Sequence, residues 1–268
     1  MLEEKMISSF DGTKLYFKKE TAENAKAAIV IVHGLCEHLG RYDYMTKTFL
    51  AAGLNVYRFD HRGHGKSEGV KAFYSNYEEI SNDVKTIVDI ALKENEDIPV
   101  FLLGHSMGGH AVTLFGTKYP GKVKGIITSG ALTRYNHQLA GPLPLPLPVD
   151  QYLPNELGDG VCSDPNIIKA YNEDPLVLKE FSVGLLNCIN DGVIWLKENA
   201  ERFNDPVLIL HGANDGLVSN LDSRVFFGDI SSTDKSLHIY ANLCHEIFNE
   251  PCKDEILIET LTWIKKHI

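Results

Sequence analysis

The sequence predicts an α/β protein built on a mainly parallel sheet. Two observations carry that reading. Short, continuous apolar runs alternate with segments of helical periodicity, and the connections between them are short. Strand–helix–strand order with tight links calls for right-handed crossovers, which lay successive strands side by side and parallel. A chain of 268 residues, 44% hydrophobic and 23% charged, supplies one large domain or a domain carrying an insertion.

Ala27–Val32 is an unbroken apolar run ended by His33-Gly34, the pattern of a strand buried on both faces. Residues 41–52 place Tyr42, Met45, Phe49 and Leu50 at helical spacing, and Gly53 closes that segment. The next strand, at 55–59, opens into a polar, Gly-rich loop at 60–67. Ile80, Val84, Ile87, Val88, Ala91 and Leu92 mark a second helix before the strand at 100–103. A third helix runs from about Gly108 to Tyr119, stopped by Pro120-Gly121, and Gly125–Ser129 is again a strand.

After Leu132 the rhythm breaks. Residues 141–148 carry proline at every second position, which removes donors and forbids a helix. From Ser163 to about Glu198 the pattern is helical and apolar. Strands resume at 206–210 and 236–240, and a helix runs from about Lys253 to the end. The expected organisation is therefore a core at 1–131, a cap insertion at 132–203 and a return to the core at 204–268. No internal repeat is present in the sequence.

Charge and cysteine usage exclude several classes. The 26 basic and 36 acidic side chains leave a formal charge of −10, which disfavours nucleic acid and any general attraction to anionic lipid. No run approaches the roughly 18 apolar residues of a membrane span. The acidic start, Met1 to Lys5, predicts no secretory signal. Five irregularly spaced cysteines without a CxxC pair point to reduced thiols in a cytoplasm, not to a disulfide framework or a zinc site. Nor do His61, His64 and the acids near them show metal-ligand spacing, so the loop at 60–69 is expected to be structural.

The chemistry rests on Gly104-His105-Ser106-Met107-Gly108, a Gly-x-Ser-x-Gly motif that follows an apolar strand and opens a helix. A strand turning this sharply leaves no room for a Cβ two residues either side of the serine. A serine hydroxyl needs a histidine base, and the base needs a carboxylate that fixes its tautomer. In the order Ser, Asp, His, both partners belong in loops past later strands. Asp215 lies just beyond the strand ending near Leu210, and His245 follows the one ending at Tyr240. Asp222, Asp229 and Asp234 compete for the acid role but lie in helical or turn contexts, while His238 falls inside a strand and His267 beside the terminus. The oxyanion of a tetrahedral intermediate needs two backbone donors. The Met107 N–H at the helix start is one, and the Leu35 N–H after the first buried strand is assigned as the other.

Taken together, residues 33–38 with Arg41-Tyr42, residues 60–69 and residues 104–109 resemble the monoacylglycerol lipase and lysophospholipase group of α/β-hydrolases. Residues 171–176, residues 211–215 and the place of His245 are similar to that group too, so the likeness spans about Phe10 to Trp263. The resemblance implies an eight-stranded, mostly parallel sheet with a lid after the sixth strand, and cofactor-free hydrolysis of a monoacyl glycerol ester. It assigns Ser106, Asp215 and His245 to the triad and Leu35 and Met107 to the oxyanion hole. Glu37, Arg41 and Tyr171 match polar positions around the glycerol end of the substrate. For Glu37 and Arg41 a salt bridge holding the loop is an equal alternative.

The lid departs from the long amphipathic helix of animal members. Leu143, Leu145 and Leu147 alternate with prolines and spread around the axis, which suits the rim of an acyl channel better than strong membrane docking. The expected function is thus a serine esterase for monoacylglycerols or similar single-acyl esters, using a small-molecule ester or lipid and no metal or cofactor. Lysophospholipids and aryl or hydroxycinnamate esters are alternative substrates. A peptidase or a non-catalytic ligand receptor on the same fold ranks below them.

Overall fold

In the computed structural model, which describes residues 1–268 apart from the side chain of Asp159, an antiparallel pair comes first, β1 (Leu2–Ser8) and β2 (Lys14–Glu20). Neither contains a continuous apolar run, because an edge hairpin keeps one face wet. Then follow β3 (Ala27–Val32), α1 (Asp43–Ala51), β4 (Leu54–Phe59), α2 (Tyr77–Glu94), β5 (Val100–His105), α3 (Met107–Lys118) and β6 (Gly125–Ser129). Asn76 caps α2 by accepting from the amides of Glu78 and Glu79, and those two acids sit in the first turn, where the helix dipole favours them. After β6 come β7 (Tyr152–Pro154), α4 (Pro165–Glu173), β8 (Glu180–Ser182) and α5 (Val183–Asn199). The chain then returns through β9 (Val207–Gly212), α6 (Asn220–Asp229), β10 (Lys235–Tyr240) and α7 (Lys253–Lys266).

The main sheet has eight strands in the order β1-β2-β4-β3-β5-β6-β9-β10, parallel from β4 to β10. This is the α/β-hydrolase architecture expected from the sequence. Every residue of β3 is buried, and the strand's period of two divides the core. Ala28, Val30 and Val32 pack with α2, α3 and α5 on one face, while Ala27, Ile29 and Ile31 pack with α1 and α7 on the other. Each fully buried aliphatic side chain contributes about 1.5–3 kcal/mol, and that burial holds the strand ends in place.

The inserted segment differs from the helical stretch expected between Ser163 and Glu198. Helix α4 ends at Glu173, and Asp174 is extended, with φ −68° and ψ 121°. The cause is Pro175, whose ring disfavours helical backbone at the preceding residue. The chain then forms β8, which pairs antiparallel with β7, before Ser182 caps α5 through the Leu185 amide. Helix α5 packs on α2 and α3 and belongs to the core layer, whereas residues 132–181 supply side chains that face Ser106 across a cavity. Among the described residues no helix is long and apolar enough to cross a membrane.

Candidate active site

Ser106 joins β5 to α3 with φ 56° and ψ −118°, a conformation that costs a non-glycine residue about 1–3 kcal/mol. Packing around it leaves the backbone no alternative. The Ser106 amide donates to the Ser129 carbonyl at 2.9 Å, and the Ser106 carbonyl accepts from the His110 amide at 2.9 Å. A Cβ on Gly104 would overlap the carbonyl oxygen of Gly108, and one on Gly108 would overlap the carbonyls of Val32 and His33. The two glycines of the motif are therefore required by backbone-to-backbone contact. Ser106 is left partly exposed at the cavity while His105 and Met107 on either side are buried.

Past the end of β9, Asp215 has no exposed side-chain surface. Its Oδ2 lies 2.7 Å from His245 Nδ1 and 3.0 Å from His211 Nε2. Its Oδ1 accepts from the amides of Leu217 and Val218 at 2.9 and 2.8 Å. Burial by itself would raise the Asp215 carboxyl. The charge and hydrogen bond of His245 and the hydrogen bond of His211 instead hold it far below the usual carboxylate range. For His245, burial opposes the charged form, but Asp215, with Glu246 and Glu37 beyond it, outweighs burial and raises the imidazole above its ordinary 6.5. A carboxylate oxygen only accepts, so Nδ1 of His245 carries the proton and Nε2 is free to act as a base. Ser106 and His245 line one recess. The Ser106 hydroxyl has no partner among the described hydrogen bonds, a looseness common in sites without substrate.

Leu35 and Met107 border the same cavity as Ser106. A chain of neutral histidines fixes the loop that carries Leu35. His61 Nε2 donates to the His33 carbonyl at 3.1 Å, so its Nδ1 accepts from the Tyr74 hydroxyl at 2.8 Å. His33 Nε2 accepts from the His61 amide at 2.9 Å, so its Nδ1 donates to the Gly34 carbonyl at 2.8 Å. Burial holds both rings well below 6.5 and so keeps these tautomers. With the Gly34 carbonyl turned to His33, the trans peptide directs the Leu35 N–H the opposite way. The loop at 60–69 is thus a support for the strand exits. Asp60 adds to it by accepting from the amides of Leu39 and Lys66 at 2.8 Å each.

Glu37, Arg41 and Tyr171 are also brought together. Arg41 donates to Glu37 at 2.7 Å and makes two bonds to Glu246, at 2.5 and 2.8 Å. Its guanidinium lies 4.8 Å from the centre of the Tyr171 ring. Glu37 further accepts from the Gly34 amide at 2.5 Å and the Tyr42 hydroxyl at 2.7 Å. The loop-holding ion pair considered from the sequence is therefore present. Glu37, Tyr171 and Glu246 also line the recess beside Ser106 and His245, where a polar group of a ligand would meet them.

On the other side of Ser106 lies a cavity of about 420 Å³, within the range of about 300–1,000 Å³ usual for small-molecule sites. Its walls are mainly apolar, with Leu143, Leu153, Phe181 and Leu186 among them and Glu156 the one acid among the described residues. Cys244, beside His245, is partly exposed; its amide donates to Glu250 at 2.9 Å, and burial with the Glu250 charge raises its thiol above the usual value. Sequence reasoning passed over Glu246, which is adjacent to His245 and completes the charge network. It also passed over His211, the second imidazole on Asp215, and it weighed Asp222, a fully buried acid on α6, only as a rival for the acid role.

Comparison with known proteins shows the family and the fold. Residues 23–252 match the model of the family described as serine aminopeptidase, S33. The chain is 31% identical to a monoacylglycerol lipase of Mycolicibacterium smegmatis, over 99% of this chain and 98% of that protein. A crystal structure of Paleococcus ferrophilus monoacylglycerol lipase superposes with a TM-score of 0.82 at 31% identity, covering 95% of this chain and 99% of that one. A soluble variant of monoglyceride lipase from Saccharomyces cerevisiae, in complex with a substrate analogue, shares the fold with a TM-score of 0.89 at 23% identity, covering 99% and 95% of the two chains.

Proposed function

The chain belongs to the serine aminopeptidase, S33 family, in the monoacylglycerol lipase and lysophospholipase group of α/β-hydrolases, and as a carboxylic ester hydrolase of that group we propose that it cleaves monoacylglycerols through a Ser106 acyl-enzyme. The observation that carries this reading is the buried Asp215–His245 pair beside a strained serine at the mouth of an apolar cavity. His245 Nε2 takes the hydroxyl proton of Ser106 as Oγ attacks the ester carbonyl. Asp215 stabilises the imidazolium that forms. The amides of Leu35 and Met107 hold the oxyanion, and together such donors typically supply several kcal/mol of transition-state stabilisation. The imidazolium returns its proton to the leaving glycerol oxygen. A water activated by the same histidine then releases the fatty acid.

The acyl chain occupies the apolar cavity, and the glycerol end occupies the recess of Glu37, Tyr171 and Glu246. The charge there favours a neutral glycerol over the phosphate of a lysophospholipid. Arg41, which does not itself line that recess, is committed to Glu37 and Glu246, so a phosphate would meet carboxylates without a free partner. The test compares kcat/KM for monoacylglycerols, lysophospholipids and aryl esters, alongside fluorophosphonate labelling. Labelling confined to Ser106, with monoacylglycerols ranked first, supports the reading. Absence of label on folded protein overturns the mechanism, and a leading lysophospholipid overturns the substrate.

A further inference from the structure

The wall of the acyl cavity at the start of the inserted segment is made by a loop with no regular structure, held by a single buried carboxylate. Leu132, Tyr135, Leu139 and Ala140 all face the cavity. The loop's backbone is costly in itself, since Tyr135 and Gln138 both adopt positive φ, at 57° and 49°. At its base stands Asp222, a fully buried carboxylate on α6 that does not line the cavity. Its Oδ2 accepts from the amides of Thr133, Arg134 and Tyr135 at 3.1, 2.8 and 2.8 Å. Its Oδ1 accepts from the Asn136 amide at 3.0 Å and from Asn136 Nδ2 at 2.8 Å. The Thr133 hydroxyl adds a bond to the Asp222 carbonyl at 2.9 Å.

At its far end the loop is closed by one of its own cavity-lining residues. The Tyr135 hydroxyl donates to the Gly141 carbonyl at 3.0 Å and accepts from the Ala140 amide at 3.1 Å. Charged hydrogen bonds to successive amides are about twice as strong as neutral ones, and here they bind a strained segment to a core helix.

We propose that Asp222 is a positioning residue for acyl-chain recognition: it clamps residues 133–136 and thereby fixes the wall against which the chain of the substrate packs. The inference rests on the lipid-ester reading above and adds to it the device that sets chain-length preference. A carboxylate is required, because both of its oxygens accept. In Asp222→Asn one side would present an N–H to the N–H groups of the loop, and the base of the wall would loosen.

The experiment measures kcat/KM for a series of single-acyl esters from acetyl to long-chain, in the unaltered protein, in Asp222→Asn and in Asn136→Ala. Ser106 labelling and thermal unfolding are followed in parallel. Asn136→Ala removes the side-chain bond to Asp222 Oδ1 from a residue that does not line the cavity, leaves α6 untouched, and so decides the matter if Asp222→Asn does not fold. The expected result is a fall of about tenfold in the ratio of long-chain to acetyl kcat/KM, with acetyl turnover and labelling rate kept. An unchanged ratio in a folded variant overturns the clamp while leaving the esterase intact. A lack of ester turnover in the unaltered protein overturns the lipid-ester reading and the clamp with it.

Discussion

His245 Nδ1 stands 2.7 Å from Asp215 Oδ2 in a site where the two side chains are 3% and 0% exposed. That pairing raises the imidazole above its ordinary 6.5 even though burial acts the other way. As the proposed base, His245 would work only when neutral, so activity is expected to rise with pH through a limb that lies above 6.5 and then to level off. In Asp215→Asn the partner's charge is gone, the limb should move to lower pH, and kcat should drop by about 10⁴-fold because the wrong tautomer is favoured. A pH profile of kcat/KM on a soluble ester measures both effects. A limb below 6.5 in the unaltered protein would contradict the arrangement.

Gly108 faces the carbonyl oxygens of Val32 and His33 with no space for a Cβ, and neither neighbour can rotate aside because both are backbone. Gly108→Ala is therefore expected to push α3 away from the end of β3. The cost in stability should be about 1–3 kcal/mol, the range for forced overpacking. The Leu35 and Met107 amides would separate at the same time, so Ser106 labelling should fall by more than the loss of folded protein explains. Denaturant unfolding paired with labelling kinetics separates the two. Labelling that merely tracks the folded fraction would show that the glycine serves packing alone.

These sites differ in how far the sequence reveals them. Gly104, Ser106 and Gly108 are legible because a local turn dictates a local spacing. Asp215 and His245 are legible because a parallel sheet brings successive strand ends to one edge. Asp222 is not, since its partners lie 86 to 89 residues earlier in the chain and no local pattern joins a helical acid to a distant loop. Glu246 was hidden for the same reason, its contact with Arg41 spanning 205 residues. The break in the cap helix is a different case. Pro175 announced it, and apolar periodicity on either side concealed it.

Arg41, with 10% of its side chain exposed, is the shared counter-charge of Glu37 and Glu246, which are 4% and 5% exposed. Breaking a buried pair by removing one partner costs about 3–5 kcal/mol, chiefly because the remaining charge is stranded. Arg41→Met strands two carboxylates and is expected to destabilise the protein by at least the lower of those values. Adding Glu246→Gln should recover part of the loss by removing one stranded charge. Thermal unfolding of the single and double variants checks this, and an equal or lower Tm in the double variant would contradict it.

Asp205, just before β9, is 2% exposed and accepts from the Gly121 amide at 2.8 Å through Oδ1, while its Oδ2 has no partner among the described residues. Burial pushes this carboxyl up from 3.8 to about 6. The folded protein therefore holds the proton more tightly than the unfolded chain does. By linkage, stability falls as pH rises through about 4 to 6, and the full penalty is present above that window. Asp205→Asn keeps the acceptor for Gly121 and carries no charge at any pH. Its Tm should exceed that of the unaltered protein at pH 8, and the advantage should shrink to nothing near pH 4, where Asp205 is protonated in the fold. An advantage of the same size at both pH values would mean that the gain arises from packing and not from the buried charge.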